Sequence, residues 1–404
     1  MKAIRFNVSI PQFLALKILG AVNKGAYYKG LLSTVRLVDI PQPKIVTSEW
    51  VKIKVLRCGM CKSDVNAITL NSSPAWTPYC SFPSVLGHEV SGKIVEVGSA
   101  VEGLHVGDIV AVSPVLNCKV RKIEPECKAC RKGLGCCENF AEGQLATGSV
   151  IDVCTALNGG YSEYIVAHKS QVFKIPDSMS AESAALIEPF AIALEAVFTN
   201  RPESDEQVLI IGCGVIGNMV ILALRALGIP CKITVLVSSD FTAKLAKSAG
   251  ADYTITGPNA LEEAAEITGG KCYMPLLGQS SMMRGFDRVY DCYSNSGSVN
   301  TALRAARTGG VISLIGISDK LKFDPTMIWL KLLTLKGTTF YGFHEWEGKK
   351  RHAFEIAIDL VSKKNIKFQN LITHRFKLDE YRKMIDVNIN KGKYKTIKTM
   401  FVFD

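Results

Sequence analysis

The chain has 404 residues, of which 48% are hydrophobic and 21% charged, and its formal net charge is +11. This length predicts about two to three domains of roughly 150 residues, and the composition excludes a disordered, collagen-like or coiled-coil protein. The most apolar run, residues 10–22, is interrupted by Pro11, Gln12 and Lys17 and is shorter than the ~18–20 residues of a membrane-spanning helix. It also lacks a cleavage site of small residues, so we expect a soluble cytoplasmic protein.

The basic excess and the 13 cysteines are the unusual features of the composition. Basic residues are dispersed, with local clusters at residues 349–351 and 391–398, and no long basic tract contains interleaved aromatic residues. This pattern disfavours nucleic-acid binding, and we expect neither a nucleic acid nor a membrane as a partner. Eight of the cysteines lie between residues 58 and 137. Such clustering in an intracellular protein indicates metal binding and not a disulfide scaffold.

The first predicted region extends from residue 51 to about residue 174 and consists of short β-segments separated by glycine and proline. Apolar and polar residues alternate in residues 51–55, and similar segments occupy residues 93–97 and 108–112. The region is therefore predicted to form a β-rich, barrel-like domain.

A different pattern begins near residue 180, where residues 181–198 are predicted to form one helix. The following strands are predicted at residues 208–211, 233–237, 288–291 and 311–315, and the helices between them at residues 218–227, 241–249 and 299–307. This alternation predicts an α/β unit with a doubly wound parallel sheet. The expected domains are residues 1–184, the α/β unit at residues 185–336, and a return to the first domain at residues 337–404.

A glycine-rich turn follows the first predicted strand of this unit, with the sequence Gly212-Cys-Gly214-Val-Ile-Gly217. Between a buried strand and a helix, these spacings indicate dinucleotide binding. The first glycine allows the tight turn, the second lets a pyrophosphate approach the backbone, and the third allows close packing of helix and strand. The alternative is a glycine turn without a ligand. The predicted binding residues are Gly212, Gly214, Val215, Ile216 and Gly217.

The choice of coenzyme depends on the end of the next strand, where an acidic residue would bind the ribose of NAD. Val237 occupies this position, and Ser238 and Ser239 follow it. Together with Lys244 on the next helix, these hydroxyls favour the additional phosphate of NADP(H) over NAD(H), whereas Asp240 would repel that phosphate. In the alternative interpretation, the two serines form only a turn.

Two short motifs precede the α/β unit, Cys58-Gly-Met-Cys61-Lys62-Ser63-Asp64 and Gly87-His88-Glu89. Thiolates and imidazoles are good zinc ligands, and a catalytic zinc has three protein ligands and an open position. Taken separately, the motifs have other interpretations. Cys58 and Cys61 would form a thiol pair, and His88 would be a hydrogen-bonded core histidine.

Together with the cysteine-rich loop and the glycine-rich turn, these motifs resemble the medium-chain dehydrogenase/reductase superfamily. The resemblance is specifically to its zinc-dependent alcohol, polyol and threonine dehydrogenases. It extends over nearly the whole chain and includes residues 160–164, 186–189 and 309–310. It implies a GroES-like β-rich catalytic domain, a Rossmann coenzyme domain, and a homodimer or homotetramer.

The resemblance also implies roles for individual residues. Cys61 and His88 are expected to hold a catalytic zinc, with Glu188 as a third, acidic ligand, directly or through water. Alternatively, Glu188 is an exposed acid at the start of a helix. Glu89 is similar to an acid that approaches the metal in relatives. The remaining roles are orientation of His88 by Asp64, relay of the substrate proton by Ser63, and contact with the coenzyme pyrophosphate by Lys62.

The implied activity is zinc-dependent hydride transfer between a nicotinamide coenzyme and a secondary alcohol or ketone of small-molecule size. Relatives often carry a histidine three residues after the relay hydroxyl, where this chain has Asn66. Because asparagine cannot take up a proton, the proton must leave by another route. The alternatives are a zinc-free NADPH-dependent reductase of the same superfamily and a non-catalytic nucleotide-binding protein.

A second cysteine cluster resembles the structural zinc lobe of the superfamily, which has the spacing CxxCxxCx7C. Four thiolates close a zinc site and leave no catalytic position. Here residues 119–126 form an insertion between Cys118 and Cys127, and the last spacing is short, so the ligand after Cys130 is either Cys136 or Cys137. Cys137 is favoured because Cys137-Glu-Asn resembles the ending of the family motif. The alternative is a metal-free loop of thiols.

Overall fold

The computed structural model describes residues 1–316 and 321–404, and the chain divides into two compact units. Unit 1 comprises residues 1–188 and 342–404, and unit 2 comprises residues 189–341. The sequence predicted boundaries after residues 184 and 336, which lie a few residues before the boundaries between the two units.

Unit 1 is built around a seven-stranded, mostly antiparallel sheet. Its strand Trp50–Gly59 pairs with Glu89–Val97, Tyr164–His168 and Lys398–Val402. Alternate side chains of Trp50–Gly59 are buried in the core of the unit, as the alternating sequence predicts. The strands of unit 1 are Lys2–Phe6, Val35–Asp39, Trp50–Gly59, Ser84–Val85, Glu89–Val97, Ile109–Val112, Tyr164–His168, Val172–Lys174, Phe343–Trp346, Lys349–His352, Ile372–Phe376 and Lys398–Val402.

The helices of unit 1 are short, and most of them connect strands of its sheets. None of the helices in the described ranges is long and apolar enough to cross a membrane. The α-helices are Ile10–Val22, Lys62–Ile68, Cys118–Arg121, Lys128–Lys132, Ala181–Ala185, Ala353–Lys363, Tyr381–Ile389 and Lys391–Tyr394. The 3₁₀ turns are Lys24–Tyr27, Pro74–Tyr79, Ile151–Val153, Lys169–Gln171, Gln369–Leu371 and Leu378–Glu380.

Unit 2 contains a six-stranded parallel sheet. Its strands are ordered Tyr253–Ile255, Lys232–Leu236, Gln207–Ile211, Phe286–Asp291, Ala306–Leu314 and Thr334–Gly337. A separate hairpin pairs Lys271–Tyr273 with Ser281–Met283. The helices are Val215–Ala226, Asp240–Ala249, Ala260–Thr268, Ser296–Ala305 and Thr326–Leu330. This order confirms the predicted doubly wound sheet, and its direction reverses between Gln207–Ile211 and Phe286–Asp291, where such sheets bind ligands.

The helix predicted at residues 181–198 is instead two helices, Ala181–Ala185 and Ile187–Thr199. Pro189 is the third residue of the second helix. Because proline lacks an N–H group and its ring collides with the carbonyl four residues earlier, it is tolerated in the first turn of a helix but not in the interior. The prediction of one continuous helix was therefore wrong, and the break places Glu188 in the first turn of the second helix.

Candidate active site

The helix Lys62–Ile68 fixes the position of Cys61, which is its N-cap residue. The Asp64 carboxylate accepts a hydrogen bond from the backbone N–H of Cys61 at 2.8 Å and another from the Tyr161 hydroxyl at 2.7 Å. This arrangement closes the start of the helix and limits the motion of the thiol. The Ser63 hydroxyl oxygen is buried and has no hydrogen-bond partner among the described residues. It is therefore available to a bound ligand.

His88 follows a turn that requires glycine, because Gly87 has a φ of +96° and a Cβ there would overlap the ring of Tyr161. The His88 Nδ1 lies 2.8 Å from the Asp152 Oδ2 and 3.9 Å from the Asp64 Oδ1. Burial acts to lower the pKa of His88, but the two carboxylates outweigh this effect and hold the pKa well above its usual value. With Nδ1 bound to Asp152, Nε2 is the ring nitrogen left for another partner.

The ligand atoms of Cys61, His88 and Glu89 all lie within 4.8 Å of one another. The Glu89 side chain is buried, and the Lys398 Nζ donates to its two carboxylate oxygens at 2.6 and 2.7 Å. A side chain at Gly59 would overlap the Glu89 carboxylate, so the glycine makes room for it. Burial acts to lower the pKa of Lys398, but the charges of Glu89 and Cys61 raise it above its usual value. The acid and the lysine therefore form a buried ion pair.

Glu188 is the second residue of the helix Ile187–Thr199 and is 8% exposed. Its charge contributes to the raised pKa of Lys398, which places it in the same region of unit 1. Among the described residues, however, the acid grouped with Cys61 and His88 is Glu89, whose ligand atom lies within 4.8 Å of theirs. Glu188 is not part of this group. The structure thus buries Glu188, in contrast to the alternative of an exposed acid at a helix start.

Sequence reasoning missed two residues of this site. Asp152 lies in the 3₁₀ turn Ile151–Val153, and it is Asp152, not the expected Asp64, that is hydrogen-bonded to His88. Lys398 was counted only as part of a basic cluster, yet it is 3% exposed. Asp152 is a single charged residue between the apolar Ile151 and Val153, and this is the signal that would have identified it. Lys398 lies between Ile397 and Thr399 in a lysine-rich segment, which gives no such signal.

The second cysteine cluster brings together the sulfur atoms of Cys118, Cys127, Cys130 and Cys137, all within 4.8 Å of one another. Cys136 is exposed and outside the group. The Sγ atoms of Cys118 and Cys137 are 3.6 Å apart. Four sulfurs at about 2.3 Å from a tetrahedral zinc would be about 3.8 Å apart, so the spacing fits that ion.

Backbone N–H groups also point at these sulfurs. Cys127 donates to the Cys118 Sγ at 3.3 Å, Cys130 to the Cys127 Sγ at 3.4 Å, and Asn139 to the Cys137 Sγ at 3.3 Å. Hydrogen bonds from N–H groups stabilise thiolates, which are the form of cysteine that binds metals. The donor set and its surroundings therefore fit a closed tetrathiolate site.

The glycine-rich turn connects the strand Gln207–Ile211 to the helix Val215–Ala226, as predicted. Gly212 has a φ of +92°, a conformation that favours glycine. A side chain at Gly217 would overlap the Gly212 carbonyl oxygen, so helix and strand could not approach as closely. Gly214 is the N-cap residue, and no side chain caps the helix, so its first N–H groups are available to an anion.

The predicted residues for coenzyme selection lie at the end of the next strand. Val237 is buried, and Ser239 is the N-cap of the helix Asp240–Ala249, where its hydroxyl accepts a hydrogen bond from the Thr242 N–H at 3.4 Å. Ser239 therefore has the structural role of a turn residue, although this does not prevent it from contacting a ligand. The exposed candidates are Ser238, Ser239, Lys244 and, in unit 1, Lys62.

Comparison with known proteins gives two family matches. Residues 47–177 match the alcohol dehydrogenase GroES-like domain, and residues 215–362 match the zinc-binding dehydrogenase domain. L-threonine 3-dehydrogenase from Pyrococcus abyssi is 31% identical over 358 residues, covering 87% of this chain and 91% of that protein. Sorbitol dehydrogenase from Bacillus subtilis is 32% identical over 291 residues, covering 71% of this chain and 73% of that protein.

The fold also matches solved structures. A putative zinc-binding dehydrogenase from Sinorhizobium meliloti bound to NADP superimposes with a TM-score of 0.70 at 25% identity, over 91% of this chain and 95% of that one. The two family matches and the structural similarity thus extend along most of the chain.

Proposed function

The chain belongs to the zinc-dependent alcohol dehydrogenase branch of the medium-chain dehydrogenase/reductase superfamily, and from this premise we propose how its residues perform the chemistry. It is an oxidoreductase that transfers hydride between a nicotinamide coenzyme and an alcohol or ketone. The observation that carries the proposal is the convergence of Cys61, His88 and Glu89 beside the buried hydroxyl of Ser63, which has no partner among the described residues.

Cys61 and His88 are the residues that would hold the catalytic zinc. A thiolate and an imidazole suit this ion, and the third ligand is an acid. Glu188 has that role by resemblance, while Glu89 supplies the carboxylate that lies within 4.8 Å of the other two ligand atoms. When bound, zinc supplies a Lewis acid that stabilises negative charge on the substrate oxygen.

The protein residues position the reactants and move the proton. Ser63 is proposed to exchange a proton with the substrate hydroxyl, because its oxygen is buried and has no partner in the described structure. Asp152 fixes the ring of His88 through Nδ1. Lys398 donates a hydrogen bond to the Glu89 carboxylate and so fixes the position of that negatively charged group. Asn66 cannot accept the proton, so a route through water is required.

We expect Asp152→Asn to lower the affinity of the catalytic site for zinc by about 10–100-fold, because removing a carboxylate partner of a ligand histidine typically has this effect. Asp152 also sets which ring nitrogen of His88 is protonated. The affinity is measured by competition with a chromogenic chelator. Asp64→Asn is the comparison variant. If Asp64→Asn weakened zinc binding and Asp152→Asn did not, the orienting role would belong to Asp64.

Cys118, Cys127, Cys130 and Cys137 would hold a second, structural zinc. We expect Cys137→Ser to reduce the bound zinc from about two ions per chain to about one, because three thiolates bind the metal less tightly than four. Elemental analysis of the purified protein gives the ratio. Cys136→Ser is the matched control, since the exposed neighbouring thiol lies outside the group. If both variants lost zinc equally, or if neither variant lost any, the result would contradict this ligand set.

The glycine-rich turn would bind the coenzyme pyrophosphate at the start of the helix Val215–Ala226, through Gly212, Gly214, Val215, Ile216 and Gly217. When bound, the nicotinamide would supply the acceptor or donor of the hydride. Lys62 is exposed on unit 1 and is proposed to contact the same pyrophosphate.

We propose NADP(H) over NAD(H), with the additional phosphate bound by Ser238, Ser239 and Lys244. Lys244→Gln is expected to weaken NADPH about tenfold and leave NADH nearly unchanged, because one charge-assisted hydrogen bond to the phosphate is worth about 1.5 kcal/mol. Dissociation constants for the two coenzymes, measured by fluorescence titration, test this. Lys247→Gln, one turn further along the helix, is the control. Tighter binding of NADH than NADPH by the unsubstituted protein would reverse the assignment.

The substrate is proposed to be a secondary alcohol, with polyols and amino alcohols as the first classes to test. The relatives described above are named for threonine and sorbitol. A panel of L-threonine, sorbitol and simple secondary alcohols and ketones, assayed with zinc-loaded protein and both coenzymes, tests the proposal. Reduction of activated alkenes alone would favour the zinc-free reductase, and coenzyme binding without turnover would favour the nucleotide-binding protein.

We also propose a cytoplasmic homodimer or homotetramer, and the resemblance to the superfamily supports this. Light scattering of the purified protein distinguishes these two states from a monomer.

A further inference from the structure

The helix Ile10–Val22 has an exposed aliphatic side that the proposed chemistry does not use. Its buried residues are Leu16 and Gly20, and the ring of Tyr27 packs where a side chain at Gly20 would lie. The exposed residues of this helix are Ile10, Pro11, Leu14, Lys17, Ile18, Leu19, Ala21 and Val22. Lys17 is the only polar residue among them, so the side of the helix that faces solvent is almost entirely apolar.

The aliphatic side chains on this side of the helix are highly exposed to solvent. The exposed fractions are 92% for Val22, 79% for Ile10 and 73% for Ile18. Leu31, which is 89% exposed, lies nearby, because the Gln12 side chain donates a hydrogen bond to the carbonyl of Leu32. Isolated exposed leucines are common on proteins, but a contiguous apolar surface indicates a binding partner. We call the exposed residues of this helix, with Leu31 and Leu32, the aliphatic surface.

The charged side chains of residues 1–38, the segment that contains the aliphatic surface, all have one sign. Residues 1–38 contain no aspartate or glutamate. Their basic residues are Lys2, Arg5, Lys17, Lys24, Lys29 and Arg36. The partner of this region is therefore expected to combine an apolar layer with negative charge.

Two arginines beside the helix have no ion-pair partner among the described residues. Arg5 and Arg36 are directly opposite each other on the antiparallel strands Lys2–Phe6 and Val35–Asp39. Like charges in such a pair repel, and the ion pairs of the described residues include neither arginine. Both line a surface cavity of about 360 Å³, together with Gln12 of the helix. An anion bound in this cavity would remove the repulsion.

We propose that the aliphatic surface docks onto an anionic phospholipid bilayer. The side chains of Ile10, Leu14 and Ile18 enter the boundary between headgroups and acyl chains, and a headgroup phosphate lies between Arg5 and Arg36. Exposed aliphatic side chains of a helix enter the interface when the helix lies in its plane, and the basic residues beside this helix would be attracted by anionic lipids, which the cytoplasmic leaflet carries. A helix that lies on a bilayer needs no spanning length, so the lack of a spanning helix in the described ranges is compatible with the proposal.

The charge pattern also favours a bilayer over a second copy of the chain. Two copies docked through this surface would bring two sets of the same positive charges together, whereas an anionic bilayer is complementary to them. The proposal revises the expectation, drawn from sequence alone, that no membrane is a partner.

Co-sedimentation of the full chain with vesicles tests the proposal. We expect binding to vesicles of phosphatidylcholine mixed with phosphatidylserine, weaker binding to phosphatidylcholine alone, and release at high salt. The double substitution Leu14→Ser and Ile18→Ser should lower the partition coefficient by more than about tenfold. Arg5→Gln with Arg36→Gln should lower it by about tenfold or more. Leu276→Ser with Leu277→Ser, which changes two exposed leucines of unit 2, should leave it unchanged.

Circular dichroism shows whether each variant is folded, and the arginine substitutions test the proposal even if the serine variant fails to fold. Absence of binding to the anionic vesicles by the unsubstituted chain would overturn the proposal. Equal binding by all variants would also overturn it, because another surface would then be responsible. If light scattering showed a dimer that the serine substitutions dissociate, and no vesicle binding, the aliphatic surface would instead be an interface between copies.

Discussion

Replacing Cys61 with alanine is expected to lower turnover by at least about a thousandfold, while the protein stays folded and binds its coenzyme. The reason is that the substitution removes one of the two residues proposed to hold the catalytic zinc. A Lewis acid at the substrate oxygen contributes several kcal/mol of transition-state stabilisation, and about 4 kcal/mol corresponds to a thousandfold in rate. Steady-state kinetics gives the turnover, and fluorescence titration gives the coenzyme affinity.

Cys58→Ala is the matched control for this experiment. Cys58 belongs to the same CxxC motif, but it is fully buried and its thiol lies outside the group formed by Cys61, His88 and Glu89. Burial also raises the pKa of the Cys58 thiol, which disfavours the thiolate that a metal requires. The control should keep its zinc and most of its turnover. If both variants lost activity equally, the pair would function as a thiol pair and the zinc assignment would be wrong.

Replacing Lys398 with methionine is expected to destabilise the protein by about 3–5 kcal/mol, because it leaves the buried carboxylate of Glu89 without its partner. Lys398 is 3% exposed and Glu89 is 1% exposed, so water cannot replace the lost interaction. The free energy of unfolding of unit 1 is measured by urea denaturation. The double variant Glu89→Gln with Lys398→Met removes both charges and should recover most of the loss.

Lys2→Met provides the control for the ion pair. Lys2 pairs with Asp39 at 3.1 Å, and both side chains are more than half exposed. Exposed pairs contribute between about 0 and 1 kcal/mol, so this variant should be nearly as stable as the parent. If Lys398→Met lost equally little stability, that result would contradict the buried ion pair.

The parts of the site that the sequence predicts well are those encoded locally. The turn before His88 and the turn after the strand Gln207–Ile211 each depend on glycines whose conformation is set within a few residues. Cys61 likewise starts a helix whose third residue, Asp64, caps it. Because these spacings determine local geometry, they can be interpreted without knowledge of the tertiary structure.

The residues that the sequence did not predict are brought together over long distances along the chain. Lys398 and Glu89 are 309 residues apart, and Asp152 and His88 are 64 apart. No local periodicity encodes these pairs, because they form only when the strand Lys398–Val402 joins the sheet and the turn Ile151–Val153 packs against His88.

The division of the predicted helix at residues 181–198 into two helices was missed for a different reason. The apolar pattern continues across the break, and the proline alone marks it.

The measurement that tests the central claim most directly is the dependence of alcohol oxidation on zinc. The protein is depleted with a chelator, its metal content is determined, and coenzyme reduction by a secondary alcohol is followed before and after zinc is restored. We expect turnover to fall with loss of the ion bound by Cys61 and His88 and to return on addition of zinc, but not in Cys61→Ala. Undiminished turnover by zinc-free protein, or restoration of turnover in the Cys61 variant, would contradict the account.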